Sequence, residues 1–373
     1  MTRHHALSHP EAHLAQIRPD HPIPYFCPAE LQATARRFQA GFPGLVTYAV
    51  KANPERVVLD NLRAAGITAY DVASPVEMRL VRQAAPDAAL HYNNPVRSAA
   101  EIGQAAQFAV SSASVDDGAG LRAVAPLGCE VAVRFKLSVT GAAYDFGSKF
   151  GAEPQQAVAL LAEVGRRGLT PALTFHPGTQ CEDAAAWESY IRAAADIARA
   201  AGVRLARLNV GGGFPAHRTG PAPDLEAILT RIAAACATAF GPQAPALVCE
   251  PGRAMVASSV CLATRVKALR DGGAVVLNDG LYGGLSELRD IAVTDRIRVI
   301  TPEGLPRTGA RRPRVIFGPT CDSVDRLPGM PELPGDLAVD DYVLFDGMGA
   351  YGHAIATGFN GYGPGPTVSV ARF

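Results

Sequence analysis

The feature that most constrains this chain is a rhythm. Eight short β-branched or aromatic runs recur over the first 250 residues, and nearly every one ends in a polar residue or glycine. Residues 45–50 run into Lys51, 67–70 into Asp71, 89–92 into Asn93 and Asn94, and 108–110 into Ser111 and Ser112. Residues 131–133 lead to Arg134, 172–175 to His176, 207–210 to Gly211 and 246–249 to Glu250. Stretches of helical period separate them, among them 54–65, 75–85, 154–167, 184–201 and 223–239. Pro54, Pro75 and Pro154 suit a first helical turn, where a missing N–H costs little. Gly66, Gly168 and Gly202 suit the C-terminal stop. Strands that alternate with helices pair in parallel, and eight such units close an α/β fold of the (β/α)8 barrel type. An open doubly wound sheet also alternates, but eight units favour closure. In a barrel the chemistry collects at the C-terminal strand ends, which is where these polar residues fall.

Beyond about residue 255 the texture changes to short strands (275–279, 314–317, 341–345 and 367–371) with turns and prolines between them. The expected organisation is an N-terminal segment, 1–24, packing on a β domain; a barrel, 25–255; and a mainly β domain, 256–373. Lys plus Arg and Asp plus Glu both number 35, so there is no formal net charge, which argues against a broad nucleic-acid or acidic-membrane binder. The most apolar stretch, 254–264, is short and bracketed by Arg253 and Arg265, so no membrane span is expected. The first 20 residues hold no apolar h-region, and the chain reads as cytoplasmic. Seven scattered cysteines without a CxxC indicate neither a disulfide framework nor a zinc site. His4 and His5 read as a polar tail, and no metal is expected.

Several segments carry chemistry. In YAVKANP, Lys51 closes an apolar strand; burying it charged is costly, so a nucleophilic free amine is expected, against the alternative of a lysine on the barrel rim. In LNVGGGFP, Gly211, Gly212 and Gly213 let backbone N–H groups approach a phosphate, or simply make a tight turn. In CEPGR, Glu250 and Arg253 flank Gly252 and can meet a pyridinium nitrogen and a phosphate, or form a rim salt bridge. In TFHPGTQ, His176 can stack on a flat ring while Thr179 donates to phosphate; a core histidine is the alternative. In GPTCDSVD, Cys321 is a candidate proton donor and Asp322 a receptor for a substrate amine, against an inert buried cysteine. Tyr351 in GAYGH offers a phenol for phosphate. Four of these segments call for one flat, phosphorylated, aldehyde-bearing ligand, pyridoxal 5′-phosphate.

Taken in order, YAVKANP, GGGFP, CEPGR, GPTCDSVD and GAY…FNGY resemble the barrel-type pyridoxal-phosphate decarboxylases acting on ornithine, lysine, arginine and diaminopimelate, from about Tyr25 to Tyr362. The resemblance implies that Lys51 binds the cofactor aldehyde, with Asp71 and Glu77 beside it in YDVASPVE and Arg134 supporting the site. It places His176 on the ring, Glu250 at the pyridine nitrogen, and Thr179, Gly211, Gly212, Gly213, Gly252, Arg253 and Tyr351 around the phosphate. Cys321 and Asp322 would enter the partner's site in a homodimer, with Cys321 returning a proton after CO2 leaves. The Cys-Asp pair looks like the ornithine/lysine branch, which makes L-ornithine to putrescine the leading expectation and lysine, diaminopimelate or another diamino acid the alternative. A departure lies at 285–291, LSELRDI, where Glu287 or Asp290 would have to replace the family's usual Asp-His grip on the distal amine. An amino-acid racemase and an inactive cofactor-binding homologue are the readings from other classes.

Overall fold

A computed structural model describes residues 7–137, 149–291 and 293–373; His4 and His5 lie outside them. The chain divides into two compact units, one of Thr34–Pro215 with Pro223–Ala254, the other of Met1–Ala33, Ala216–Ala222 and Met255–Phe373.

The first unit is a parallel barrel. Its strands run in the order Gly44–Val46, Ala246–Cys249, Arg207–Asn209, Pro171–Thr174, Glu130–Arg134, Ser112–Val115, Ala89–Tyr92, Ala69–Val72 and Tyr48–Ala49. The first and last of these are halves of one strand, broken at Thr47. Gly44–Val46 pairs with Ala246–Cys249, and Tyr48–Ala49 pairs with Ala69–Val72, so one short segment serves both sides of the seam. Thr47 donates both its backbone N–H (2.9 Å) and its hydroxyl (3.0 Å) to the Cys249 carbonyl. The hydrophobic run at 45–50 gives no sign of the break, because both halves are apolar.

Two local expectations are corrected. Residues 108–110 are not a strand: Phe108 caps the helix Ala99–Gln107, Ala109 is left-handed (φ 50°), and the strand is Ser112–Val115. Its buried Ser112 and Ser114 lack the β-branched signature by which the run was sought. Ser98 and Glu101 form a reciprocal capping box that starts this helix. Pro54 precedes the helix Arg56–Ala64 instead of opening it, and the intervening turn is held by Asn53 Oδ1 accepting from Glu55 N at 3.0 Å.

The second unit is a mixed sheet whose spine is Val260–Leu269. It pairs antiparallel with Ile23–Phe26, Tyr342–Asp346 and Val275–Leu277. Ile297–Ile300 and Val368–Ser369 flank the sheet, and Ile316–Phe317 joins Val275–Leu277. The first five residues of the spine are all buried, because both faces are covered. Leu262, Val266, Leu277, Leu285, Val343 and Phe345 pack on one side, and Tyr25, Cys261, Ala263, Tyr342 and Leu344 on the other. This double burial explains why the first half of the spine, 260–263, reads as apolar without strand alternation, whereas its second half, with Arg265 and Lys267, alternates between buried and exposed positions. Among the described residues, no helix is long and apolar enough to cross a membrane, and no His/Cys/Asp/Glu group is arranged to hold a metal ion. Leu262→Ala is expected to cost ~2–5 kcal/mol, read as a lower denaturation midpoint.

Candidate active site

The barrel's C-terminal strand ends gather Lys51, Asp71, Arg134, His176 and Glu250. Lys51 sits in the single turn Val50–Ala52 directly after the strand Tyr48–Ala49. It is exposed, which corrects the expectation of a desolvated lysine. Its neighbours are anionic instead: Lys51 acts electrostatically on Asp71, Glu77 and Glu250. Asp71 is buried, and burial pushes its carboxyl up, opposed by Lys51, a hydrogen bond from Asn93, and Arg134. Glu250 is pushed up to about 8, first by burial and then by Asp71; Asn209, Lys51 and Arg134 pull the other way. Its Oε1 accepts from both Asn93 Nδ2 and Asn209 Nδ2. Arg134 ends its strand and is pushed down by burial, opposed by Glu250, Asp116 and Asp71. Glu77 belongs to the N-cap of Pro75–Ala84: Oε2 accepts from Ala73 N at 2.6 Å, and burial lifts its carboxyl to about 7.

Neither Asn93 nor Asn209 was expected to carry a site role. Both stand at strand ends, so the rule that singled out Lys51 and Glu250 reaches them too. An amide simply carries no titratable signal to draw attention.

Two loops form a cradle beside these groups. Gly211 (φ 69°) and Gly213 (φ 84°) adopt left-handed backbone, and a Cβ on either would collide with the carbonyls of Phe175 and Gly178 respectively. A Cβ on Gly212 would lie 2.8 Å from the Glu250 carbonyl oxygen. Gly211 N donates to Asn209 Oδ1 at 2.9 Å, and Cys181 N donates to the Gly213 carbonyl at 2.9 Å, which locks the 176–181 loop against the glycines. Thr179 is half-buried in that loop, and Arg253, also half-buried, follows Gly252 at the start of the short helix Arg253–Val256. His176 Nδ1 accepts from Gly178 N at 3.1 Å. Burial, then Lys51 and Arg134, drive its pKa well below the usual histidine value, so the ring is neutral. Phe175 stacks on Tyr190 at 4.6 Å, and Trp187 donates to the Val210 carbonyl at 3.2 Å, so both loops leave from rigid strands.

The remaining expected residues lie in the other unit. Cys321 is exposed, and its backbone N–H donates to Asn360 Oδ1 at 3.0 Å. Asp322 accepts from Tyr282 OH (2.5 Å) on Oδ2 and from Val324 N (3.1 Å) on Oδ1. The Tyr282 hydroxyl, and then the Val324 N–H, hold Asp322 below the usual aspartate range. Phe359 packs against Tyr282 with ring centroids 4.9 Å apart, so the FNGY motif braces the Cys321–Asp322 turn. Asp325 is buried and fastens the same turn through Thr320 Oγ1 (2.7 Å) and Leu281 N (2.8 Å). Tyr351 is half-buried with left-handed backbone (φ 53°). Glu287 is corrected as a substrate carboxylate: its side chain is 2% exposed and lies 3.5 Å from the equally sequestered Arg218, so it neutralises an internal cation. Asp290 is exposed beside Arg289.

An accessible primary amine, two carboxyls raised by burial, a neutral imidazole and a glycine cradle match the aldehyde, pyridine nitrogen, ring and phosphate of pyridoxal phosphate. Barrel and donor set together define the class, a pyridoxal-phosphate enzyme on a (β/α)8 frame. Comparison with known proteins narrows it. The pyridoxal-binding domain of the pyridoxal-dependent decarboxylases matches residues 28–257, and the chain belongs to that family of amino-acid decarboxylases. A lysine/ornithine decarboxylase of Selenomonas ruminantium is 32% identical over 334 residues, covering 87% of this chain and 82% of that protein. An ornithine decarboxylase of Cricetulus griseus is 29% identical over 353 residues, covering 87% and 75%. The structure of a lysine/ornithine decarboxylase from Vibrio vulnificus complexed with putrescine superposes with a TM-score of 0.82 at 27% identity, covering 97% of each chain.

The raised Glu250 carboxyl has a stability consequence. Its folded pKa lies above the free value of 4.5, so the native state holds a proton that the unfolded chain releases between 4.5 and about 8. The resulting destabilisation is absent below that window and complete above it. Glu250→Gln is therefore expected to raise the Tm of cofactor-free protein by a few degrees at about pH 8 and by little at about pH 4.

Proposed function

We propose that this chain decarboxylates a basic L-amino acid, with L-ornithine, giving putrescine and CO2, as the favoured substrate. The observation that carries the reading is Asp322: an exposed turn presents a carboxylate with both oxygens anchored, next to an exposed thiol. A fixed, ionised carboxylate suits a distal ammonium and would repel a distal carboxylate. The relatives named above as lysine/ornithine and ornithine decarboxylases support the same substrate class.

In this reading Lys51 holds the cofactor through its Nζ, and Gly211, Gly212, Gly213, Thr179, Gly252, Arg253 and Tyr351 hold its phosphate. His176 covers the ring as a neutral group, and Glu250, supported by Asp71 and Arg134, faces the pyridine nitrogen. When bound, pyridoxal phosphate supplies the electron sink for the pair released as the Cα–carboxylate bond breaks. The protein's own task is then the proton: Cys321 gives one to Cα, and its thiolate recovers one from water. Cys321 and Asp322 serve the site of a second subunit, so the working form is a homodimer with shared sites.

Cofactor-loaded protein given ornithine, lysine, arginine and meso-diaminopimelate side by side is expected to yield putrescine as the dominant amine by mass spectrometry. Dominance of another amine reassigns the substrate. Lys51→Ala and Cys321→Ala are each expected to lose activity by a factor of about 100 or more, in line with removal of a positioned nucleophile or proton donor. Mixed dimers of the two variants recover part of it if sites are shared; verified mixed dimers without recovery would exclude that arrangement.

A further inference from the structure

The carboxylate at 287 and the cation that meets it are both withdrawn from solvent, at 2% and 5% side-chain exposure. A buried pair of this kind adds little net stability, because desolvating two charges offsets their attraction. What it does is better read from what it joins. Arg218 Nη1 lies 3.5 Å from Glu287 Oε1 and 3.5 Å from the Gly347 carbonyl oxygen, so one guanidinium stands between two turns, 286–289 and 347–352. The backbone of Arg218 is itself fixed. Its carbonyl accepts from Thr294 Oγ1 at 2.9 Å and from Asp295 N at 3.2 Å, and Asp295 Oδ2 accepts from Gly220 N at 2.9 Å.

The second turn carries Tyr351, and the first reaches it directly as well. Ser286, buried beside Glu287, places its Oγ 3.4 Å from the carbonyl oxygens of both Tyr351 and Gly352. Gly352 packs so closely that a Cβ there would lie 2.9 Å from the Gly284 carbonyl oxygen. Tyr351 has left-handed backbone (φ 53°), a conformation that costs a residue with a Cβ ~1–2 kcal/mol and persists where its surroundings hold it. The holding groups include Ser286 and, through Arg218, Glu287, both from LSELRDI. Arg218 also follows Gly213, the last glycine of the cradle, by only five residues.

The geometry points to the turn Ser286–Arg289 as a positioning element for the cofactor's phosphate, with Ser286 directly and Glu287 through Arg218 keeping Tyr351 in its left-handed conformation. The inference rests on the reading of Tyr351 as a phosphate ligand given above. It gives the departure at 285–291 a task that needs no contact with substrate. Ser286 and Glu287 are positioning residues, acting through Tyr351.

The test uses full-length protein stripped of cofactor and reloaded with pyridoxal 5′-phosphate or with pyridoxal, which keeps the aldehyde and ring but has no phosphate. The ratio of the two Kd values isolates the hold on the phosphate. Glu287→Gln removes the charge that meets Arg218, and Ser286→Ala, which removes only a hydroxyl, keeps the test open if the first variant does not fold. Each is expected to raise the Kd for pyridoxal phosphate about tenfold while the Kd for pyridoxal stays within about twofold. Arg289→Gln, at an exposed position of the same turn, is expected to leave the ratio unmoved. Ser286→Ala added to Tyr351→Phe is expected to lose no more than Tyr351→Phe alone, because both changes act on one contact. If Tyr351→Phe weakens the phosphate preference but folded Ser286→Ala and Glu287→Gln leave it intact, the positioning role is overturned and the reading of Tyr351 stands. Equal losses for pyridoxal and pyridoxal phosphate in these two variants also overturn it, since they mark a purely structural turn. If Tyr351→Phe leaves the preference intact, the reading of Tyr351 as a phosphate ligand fails and the positioning role fails with it.

Discussion

The whole arrangement depends on how the parallel sheet closes. A parallel sheet has no inherent reason to return to its own first strand, and here the return is made at Thr47, where the first strand stops pairing with the last and starts pairing with the second. Two hydrogen bonds from Thr47 to a single carbonyl, that of Cys249, fasten the seam. The consequence is chemical as well as architectural. Lys51 lies four residues past the seam on one strand and Glu250 one residue past it on the other, so closing the barrel is what brings the amine and the carboxyl into one mouth.

That mouth is expensive to fold. Like charges on Asp71 and Glu250 repel, and burial raises both carboxyls. Lys51 and Arg134 offset part of this, Asn93 and Asn209 another part, and the left-handed glycines allow the cradle to approach neighbouring carbonyls as no other residue could. The groups are close because the barrel's backbone pairing holds them there, and their mutual strain is of the kind that a bound pyridinium and phosphate relieve.

Much of this was legible in the sequence, for a definite reason. Barrel strands end in polar residues because function collects at their C-terminal ends, so Lys51, Asp71, Arg134, His176, Gly211 and Glu250 announce themselves by position and type. The strand Ser112–Val115 did not, since small serines fill its buried positions, and the first half of the sheet spine Val260–Leu269 did not, since burial on both faces erases alternation there. Glu287 shows the limit of reading charge from sequence. A carboxylate in a motif region looks available until the fold sets Arg218, almost 70 positions away, against it. Tyr282 and Asn360 were missed because their work is to orient others, and orientation is a three-dimensional fact.

The strand Ile23–Phe26 adds a point about time. It is among the first described segments to be synthesised, yet it is flanked in its sheet by Val260–Leu269 and by Val368–Ser369, the last strand of the chain. On the ribosome its apolar residues must wait, unpaired, while every strand of the barrel is made and can close. Of the two units, the one that carries Cys321 and Asp322 is thus completed later, and its early strand is exposed to wrong partners through most of synthesis.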